Sequence, residues 1–352
     1  MPIRFLASLS ATLGLAGTAL ADVPQVATDI APVHALVARV MQGAGEPALI
    51  VPPGASPHGY AMRPSEAAAL QRADLVVWMG EDLTPWLEGA IGALAGKAHV
   101  IELLGVEGTR ILPFREGVAF AAHDHDAANE ENRDHEDHAD KEHDHDAHDH
   151  DAHDHNEHAH GDKDHDDHSH DAHDHDHAHD GADPHAWLDP ANARAWLAVI
   201  AGELAEHDPA NAALYMANAT AAQAELDALS AEIAAQIAPV RGKPFLVFHD
   251  AYQYFEAAFG VNAAGAIALG DAADPGPARI AQLRDLARDQ NIACVFSEPQ
   301  FDPKLVRTVF GDVVGHGVLD PLAGDVDPGP DLYPTLLRNM TAALTGCLAT
   351  NG

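Results

Sequence analysis

The chain reads as an α/β protein of two lobes joined by a long rigid helix, and three observations predict this. Short apolar runs alternate with helical periodicity in its first hundred residues and again in its last hundred. The 58 residues 123–180, dominated by His and Asp, separate the two sets. An alanine-rich stretch free of proline and glycine lies just before the second set.

In the first set the strand candidates are 25–27, 48–51, 74–78 and 99–102, with helical spacing at 32–42, 63–72 and 84–95. In the second the strands are 245–248, 262–267, 293–297 and 313–318, with helices at 251–259, 277–290, 303–310 and 331–348. This rhythm builds parallel sheets covered by helices. Asp189-Pro190 reads as an N-cap followed by proline at the first helical position, and Asp208-Pro209 repeats the device. From there nothing interrupts the chain until Pro239, and Leu214, Leu226, Leu229, Ile233 and Ile237 are spaced for one face. Alanine is the best helix former, and about 28 residues of helix would extend about 42 Å. That is a spine, not a hinge. The organisation expected is a leader at 1–21, a first lobe from 22–122 with 181–207, an arm at 123–180, a linker helix at 208–240 and a second lobe at 241–352.

The leader has a short positive start, an apolar run from Phe5 to Leu20 and the small-x-small site Ala19-Leu20-Ala21. It reads as a secretory signal cleaved after Ala21, too short for a comfortable membrane span. No later stretch is a spanning candidate, so an exported, soluble protein is expected. Cys294 and Cys347 would then meet an oxidising compartment and are expected to pair.

The arm holds 19 of the 26 histidines. Its 23 acids against Arg133, Lys141 and Lys163 account for −20 of the formal −36 charge. So polar a segment cannot bury enough apolar surface to fold, and imidazole with carboxylate attracts borderline divalent cations. The lobes are acidic too, which argues against nucleic acid or anionic membrane as partners.

Seven histidines lie outside the arm. His58 sits in a Pro- and Gly-rich segment after a strand, His249 ends the strongest apolar strand of the second lobe, and His185 stands just before a helix. Ligands of open α/β sheets bind beyond the carboxyl ends of strands, so a cleft between lobes would bring such residues together. His34 and His207 read as ordinary helix histidines, His99 begins a strand candidate, and His316, four residues before Asp320, reads as a structural histidine or one near the site. Glu298 ends a strand, as a cleft-lining or plain loop carboxylate. Asp250 reads as a helix cap or an orienting partner for an imidazole.

The segments 52–63, 183–190, 248–255 and Leu319-Asp320-Pro321-Leu322 resemble the zinc-uptake branch of the metal-binding periplasmic solute receptors, the ZnuA type that serves an ABC importer. The resemblance covers essentially the whole mature chain, and the His-rich insertion falls where that family carries one. It implies two (β/α)4 lobes joined by one long helix, a metal site in the interlobe cleft, and His58, His185 and His249 as zinc ligands. Asp320 or a water would be the fourth ligand. Pro57 stands where some relatives carry a metal-approaching glutamate. Manganese receptors usually place a carboxylate where His249 stands, and imidazole suits zinc better than manganese. The implied cargo is Zn2+ and the implied partner an inner-membrane ABC permease, with a periplasmic zinc chaperone as a further candidate; the receptor would be a monomer and not an enzyme. A free-standing zinc buffer, a manganese receptor and a zinc hydrolase are the alternatives, the last lacking an HExxH-type helix.

Overall fold

A computed structural model describes residues 23–115, 117, 119–120, 181–268, 276–301, 303–311 and 314–351. The leader and the arm lie outside them, as does the start of the strand expected at 313–318. Two parallel four-stranded sheets form. The first comprises β1 (Val26–Thr28), β2 (Ala48–Leu49), β3 (Leu75–Trp78) and β4 (His99–Glu102) in the order β2-β1-β3-β4. The second comprises β5 (Phe245–Val247), β6 (Ala263–Ala266), β7 (Cys294–Ser297) and β8 (Gly315–Val318) in the matching order β6-β5-β7-β8. Central strands are buried along their whole length while the edges β2, β4 and β8 are partly exposed. This explains why the central strands read as continuous apolar runs.

The first sheet is followed by α1 (Ala31–Met41), α2 (Pro64–Arg72) and α3 (Pro85–Leu94), and the second by α6 (Gln253–Phe259), α7 (Pro277–Asp289), α8 (Pro303–Phe310) and α9 (Leu332–Asn351). Between them run α4 (Pro190–His207) and α5 (Ala212–Ile237). Proline opens α2, α3, α4 and α7 at the position where a missing N–H costs nothing. Gly260 ends α6 in the left-handed conformation that glycine adopts without strain.

Asp189 caps α4 as expected, its carboxylate accepting from the Ala191 N–H at 2.9 Å. Asp208 opens a turn ahead of the next helix, its Oδ1 accepting from the Asn211 N–H at 3.3 Å. It closes α4, and its side chain accepts from Asn211 Nδ2 at 2.6 Å and Tyr215 Oη at 2.9 Å. The long helix therefore starts at Ala212, spanning 26 residues or about 39 Å. Its buried stripe is Tyr215, Ala219, Ala222, Leu226, Leu229, Ile233 and Ile237, with Leu214 only half-buried. The stripe packs on α4, α1 and α9.

Each lobe has an outer core of its own. Leu70, Val76, Trp78 and Leu87 lie under α2 and α3, and Leu246, Leu283, Val295 and Val306 lie under α7 and α8. The largest core belongs to neither lobe alone. It runs from Val33 and Leu36 of α1 through Trp187, Trp196 and Tyr215 to Tyr254, Tyr333 and Leu336. One continuous apolar core across both sheets resists wide opening, because close-packed interiors transmit strain instead of flexing.

The chain leading into the arm crosses between lobes. Leu112 N–H donates to Tyr254 Oη at 2.9 Å, and Phe120 N–H to the Ala264 carbonyl at 2.9 Å beside β6. The Arg115 guanidinium, nearly buried, pairs with Asp250 and Glu256. Burial alone would discharge it, but the Glu256 and Asp250 carboxylates outweigh that and hold it more firmly protonated than usual. A boundary drawn at 122 by composition thus falls after residues that lie on the second lobe.

At the end of β1, Asp29 is fully buried, accepting from the Ile30 and Met79 N–H groups at 2.7 Å each. Burial pushes its carboxyl up to about 7 against those bonds. From about 4 to about 7 the native state therefore keeps a proton that the unfolded chain has released. The contribution of Asp29 to stability is complete below about pH 4 and is lost as pH rises to 7. Urea unfolding of wild type and Asp29→Asn across this range checks it: the wild-type advantage shrinks with rising pH, and a difference that stays flat sinks the assignment.

Candidate metal site

His249 follows β5 and Glu298 follows β7, so they flank the point where strand order reverses in the second sheet. That crevice is where such sheets bind ligands. His58 lies in the loop between β2 and α2, and His185 opens the 3₁₀ turn (Ala186–Leu188) ahead of α4. The structure brings the three together. One ring nitrogen of each lies within 4.8 Å of the others, with ring centroids 5.6 Å apart for His58–His185 and 5.4 Å for His185–His249. His185 and His249 are buried at 4% and 5% exposure, and His58 is half-buried at the mouth.

Two rings are held by carboxylates. His185 Nδ1 lies 2.7 Å from Asp183 Oδ1, and His249 Nδ1 lies 2.6 Å from Glu298 Oε1. With Nδ1–H donating, Nε2 is left as an unprotonated lone pair for a cation, the arrangement that fixes tautomer and ring orientation at metal sites. Both acids are buried, and Asp183 is pushed up to about 7 by burial, partly offset by the His185 N–H and by Arg115. Gln300 Nε2 donates to the other Glu298 oxygen at 2.7 Å.

The loops are fastened across the cleft. Tyr254 Oη donates to the Asp183 carbonyl at 2.8 Å, Trp187 Nε1 to the Pro321 carbonyl at 2.8 Å, and Tyr333 Oη to the Trp187 carbonyl at 2.7 Å. The His58 loop is pinned by Trp86 Nε1 donating to the Pro57 carbonyl at 2.7 Å. These bonds preform most of the site.

Asp320 is not among the three residues whose donor atoms all lie within 4.8 Å of one another. Its oxygens accept from the Leu322 and Gly324 N–H groups at 2.9 and 2.7 Å, folding 320–324 into a tight loop. A Cβ on Gly324 would come within 3.1 Å of the Gly54 nitrogen, so that loop abuts the one carrying His58. Asp250, one of the readings for an orienting acid, is engaged by Arg115, and Glu298 orients His249. Asp183 was not singled out by sequence reasoning, although Asp-x-His places a carboxylate two residues from a ring. His34 Nε2 contacts the Pro47 carbonyl and His316 Nε2 the Gly311 carbonyl, both structural. His99 and His207 meet each other beside Glu203. Cys294 of β7 and Cys347 of α9 are joined in a disulfide with Cα atoms 6.2 Å apart.

Comparison with known proteins agrees with this architecture. The chain is 45% identical over 338 residues to the high-affinity zinc uptake system protein ZnuA of Brucella suis biovar 1, covering 96% of this chain and 95% of that protein. It is 45% identical over 346 residues to the ZnuA of Paracoccus denitrificans, covering 97% and 98%. A crystal structure of ZnuA superposes with a TM-score of 0.66 at 23% identity, over 93% of this chain and 100% of that one. The Ni2+ complex of the solute-binding protein FpvC from Pseudomonas aeruginosa superposes at 0.67 with 18% identity, over 94% and 98%, a likeness of fold. The family model described as zinc-uptake complex component A, periplasmic, matches residues 26–166 and 156–347, and with relatives this similar over nearly its whole length the chain belongs to that family.

Proposed function

We propose that this chain is the periplasmic receptor of a zinc uptake system, capturing Zn2+ on His58, His185 and His249 and delivering it to an ABC permease. The observation that carries this is the convergence of three imidazoles from both lobes, two of them oriented by buried carboxylates. Three nitrogen donors favour zinc over manganese, with bonds of about 2.0–2.1 Å expected. A water takes the fourth position, and Asp320 keeps the 320–324 loop against the His58 loop. Capture suits the site better than hydrolysis, because Asp183 and Glu298 already accept from imidazoles and neither is a spare base. The shared central core and the α5 spine favour modest rocking with loop ordering over wide jaw closure. The family description supports a periplasmic location, the leader is cleaved after Ala21, and the receptor acts as a monomer. Growth under zinc limitation tests the transport role. Cells lacking this chain recover with wild type and not with the triple variant His58→Ala, His185→Ala, His249→Ala; equal rescue would overturn the reading.

The His- and Asp-rich arm at 123–180 ends five residues before His185 in the sequence. It collects zinc through many weak sites of imidazole and carboxylate. Deleting 123–180 keeps the tight site and removes most weak binding in calorimetry, whereas unchanged stoichiometry rules out a collecting role.

A further inference from the structure

We infer that His99, Glu203 and His207 form a second divalent-cation site, with two nitrogen donors and one carboxylate, of the class that takes Zn2+. It lies at the end of the first sheet remote from the three-histidine cleft. His99 opens β4 at its amino end, whereas the cleft lies beyond the carboxyl ends of the strands. Glu203 and His207 stand four residues apart near the end of α4, a spacing that puts two side chains on one helix face. The helix that begins just after the His185 turn thus ends in this cluster, 18 residues on or about 27 Å along its axis.

An i,i+4 acid–histidine pair on a helix is ordinarily a solvated face, and three features set this one apart. The third donor arrives from a different element, and one donor atom from each residue lies within 4.8 Å of the other two. Glu203 Oε2 is buried and has no hydrogen-bond partner among the described residues. His99 Nδ1 stands 3.0 Å from that oxygen, an ion pair when the ring is protonated. With the His99 ring neutral and Nδ1 unprotonated, the same two atoms form an edge of a coordination shell; tetrahedral zinc with these ligands spaces neighbouring donors about 3.3 Å apart. The His99 and His207 rings, 5.9 Å between centroids, are both exposed and need only side-chain rotation to close on one ion. Water completes the shell on the open side.

Such an ion ties the start of an edge strand to the last turn of α4, bracing the first lobe. The site's exposure and its carboxylate donor make it weaker and faster-exchanging than the buried three-histidine site, from which it is independent.

The test uses the full mature chain with ZnCl2, following histidine modification by diethyl pyrocarbonate residue by residue with mass spectrometry. His99 and His207 become protected together at one zinc concentration, and Glu203→Gln raises that concentration tenfold or more for both. Arm peptides in the same digest show unchanged protection, which separates this site from the arm. The inference is overturned if either ring reacts at a zinc-independent rate in wild type, if their midpoints differ by more than tenfold, or if Glu203→Gln shifts them less than tenfold.

Discussion

His249→Ala weakens the tight zinc site by two to three orders of magnitude while the protein stays folded. Structural zinc sites are held by roughly 10–16 kcal/mol over four ligands, so one imidazole accounts for about 3–4 kcal/mol, and each 1.4 kcal/mol is about tenfold. His249 is a good choice because its removal leaves Glu298 hydrogen-bonded by Gln300. Binding also requires neutral imidazoles, so the affinity of wild type falls as pH drops toward about 6. Glu298→Gln and Asp183→Asn keep all three ligands but loosen ring orientation, and a smaller loss of about 10–100-fold follows. Competition with a tight chelator isolates this site from the weak ones proposed for the arm. Unchanged tight binding in His58→Ala, His185→Ala and His249→Ala would sink the ligand assignment.

Removing the disulfide by Cys294→Ala with Cys347→Ala lowers stability by about 4 kcal/mol, the chain-entropy value for a loop closed over 53 residues. The bond ties β7 to α9, whose Tyr333, Leu336, Leu337, Met340, Leu344 and Leu348 complete the central core. Loosening α9 therefore reaches both lobes. Urea unfolding of the oxidised wild type and the double variant measures the loss, and a change under about 1 kcal/mol would show that core packing alone holds α9.

The elements were legible because their signals are local. Strands buried on both faces read as apolar runs, and Pro64, Pro85, Pro190 and Pro277 mark helix starts wherever they fall. The start of α5 was misread because Asp208-Pro209 carries the same local signal as Asp189-Pro190. At 208 the carboxylate accepts from the Asn211 N–H but also from Asn211 Nδ2 and Tyr215 Oη, a turn forms at 209–211 before the first helical residue, and which donors reach a side chain is settled by packing. The brevity of β2 has a similar cause: residues 50 and 51 bond to β1 and the residue beyond it through single contacts at the sheet end.

By itself the sequence determined that this is an α/β chain with a His- and Asp-rich insertion, and which isolated histidines stand at strand and helix ends. Periodicity, composition and turn chemistry are short-range properties. Only the tertiary structure decided what those histidines meet. Glu298 reaches His249 across 49 residues, Arg115 takes Asp250 across 135, and Tyr254 fastens the Asp183 segment across 71. Such partnerships arise where loops from two sheets converge. No local pattern encodes which carboxylate will orient an imidazole, which will neutralise an arginine, or that His99 will meet a helix end a hundred residues later.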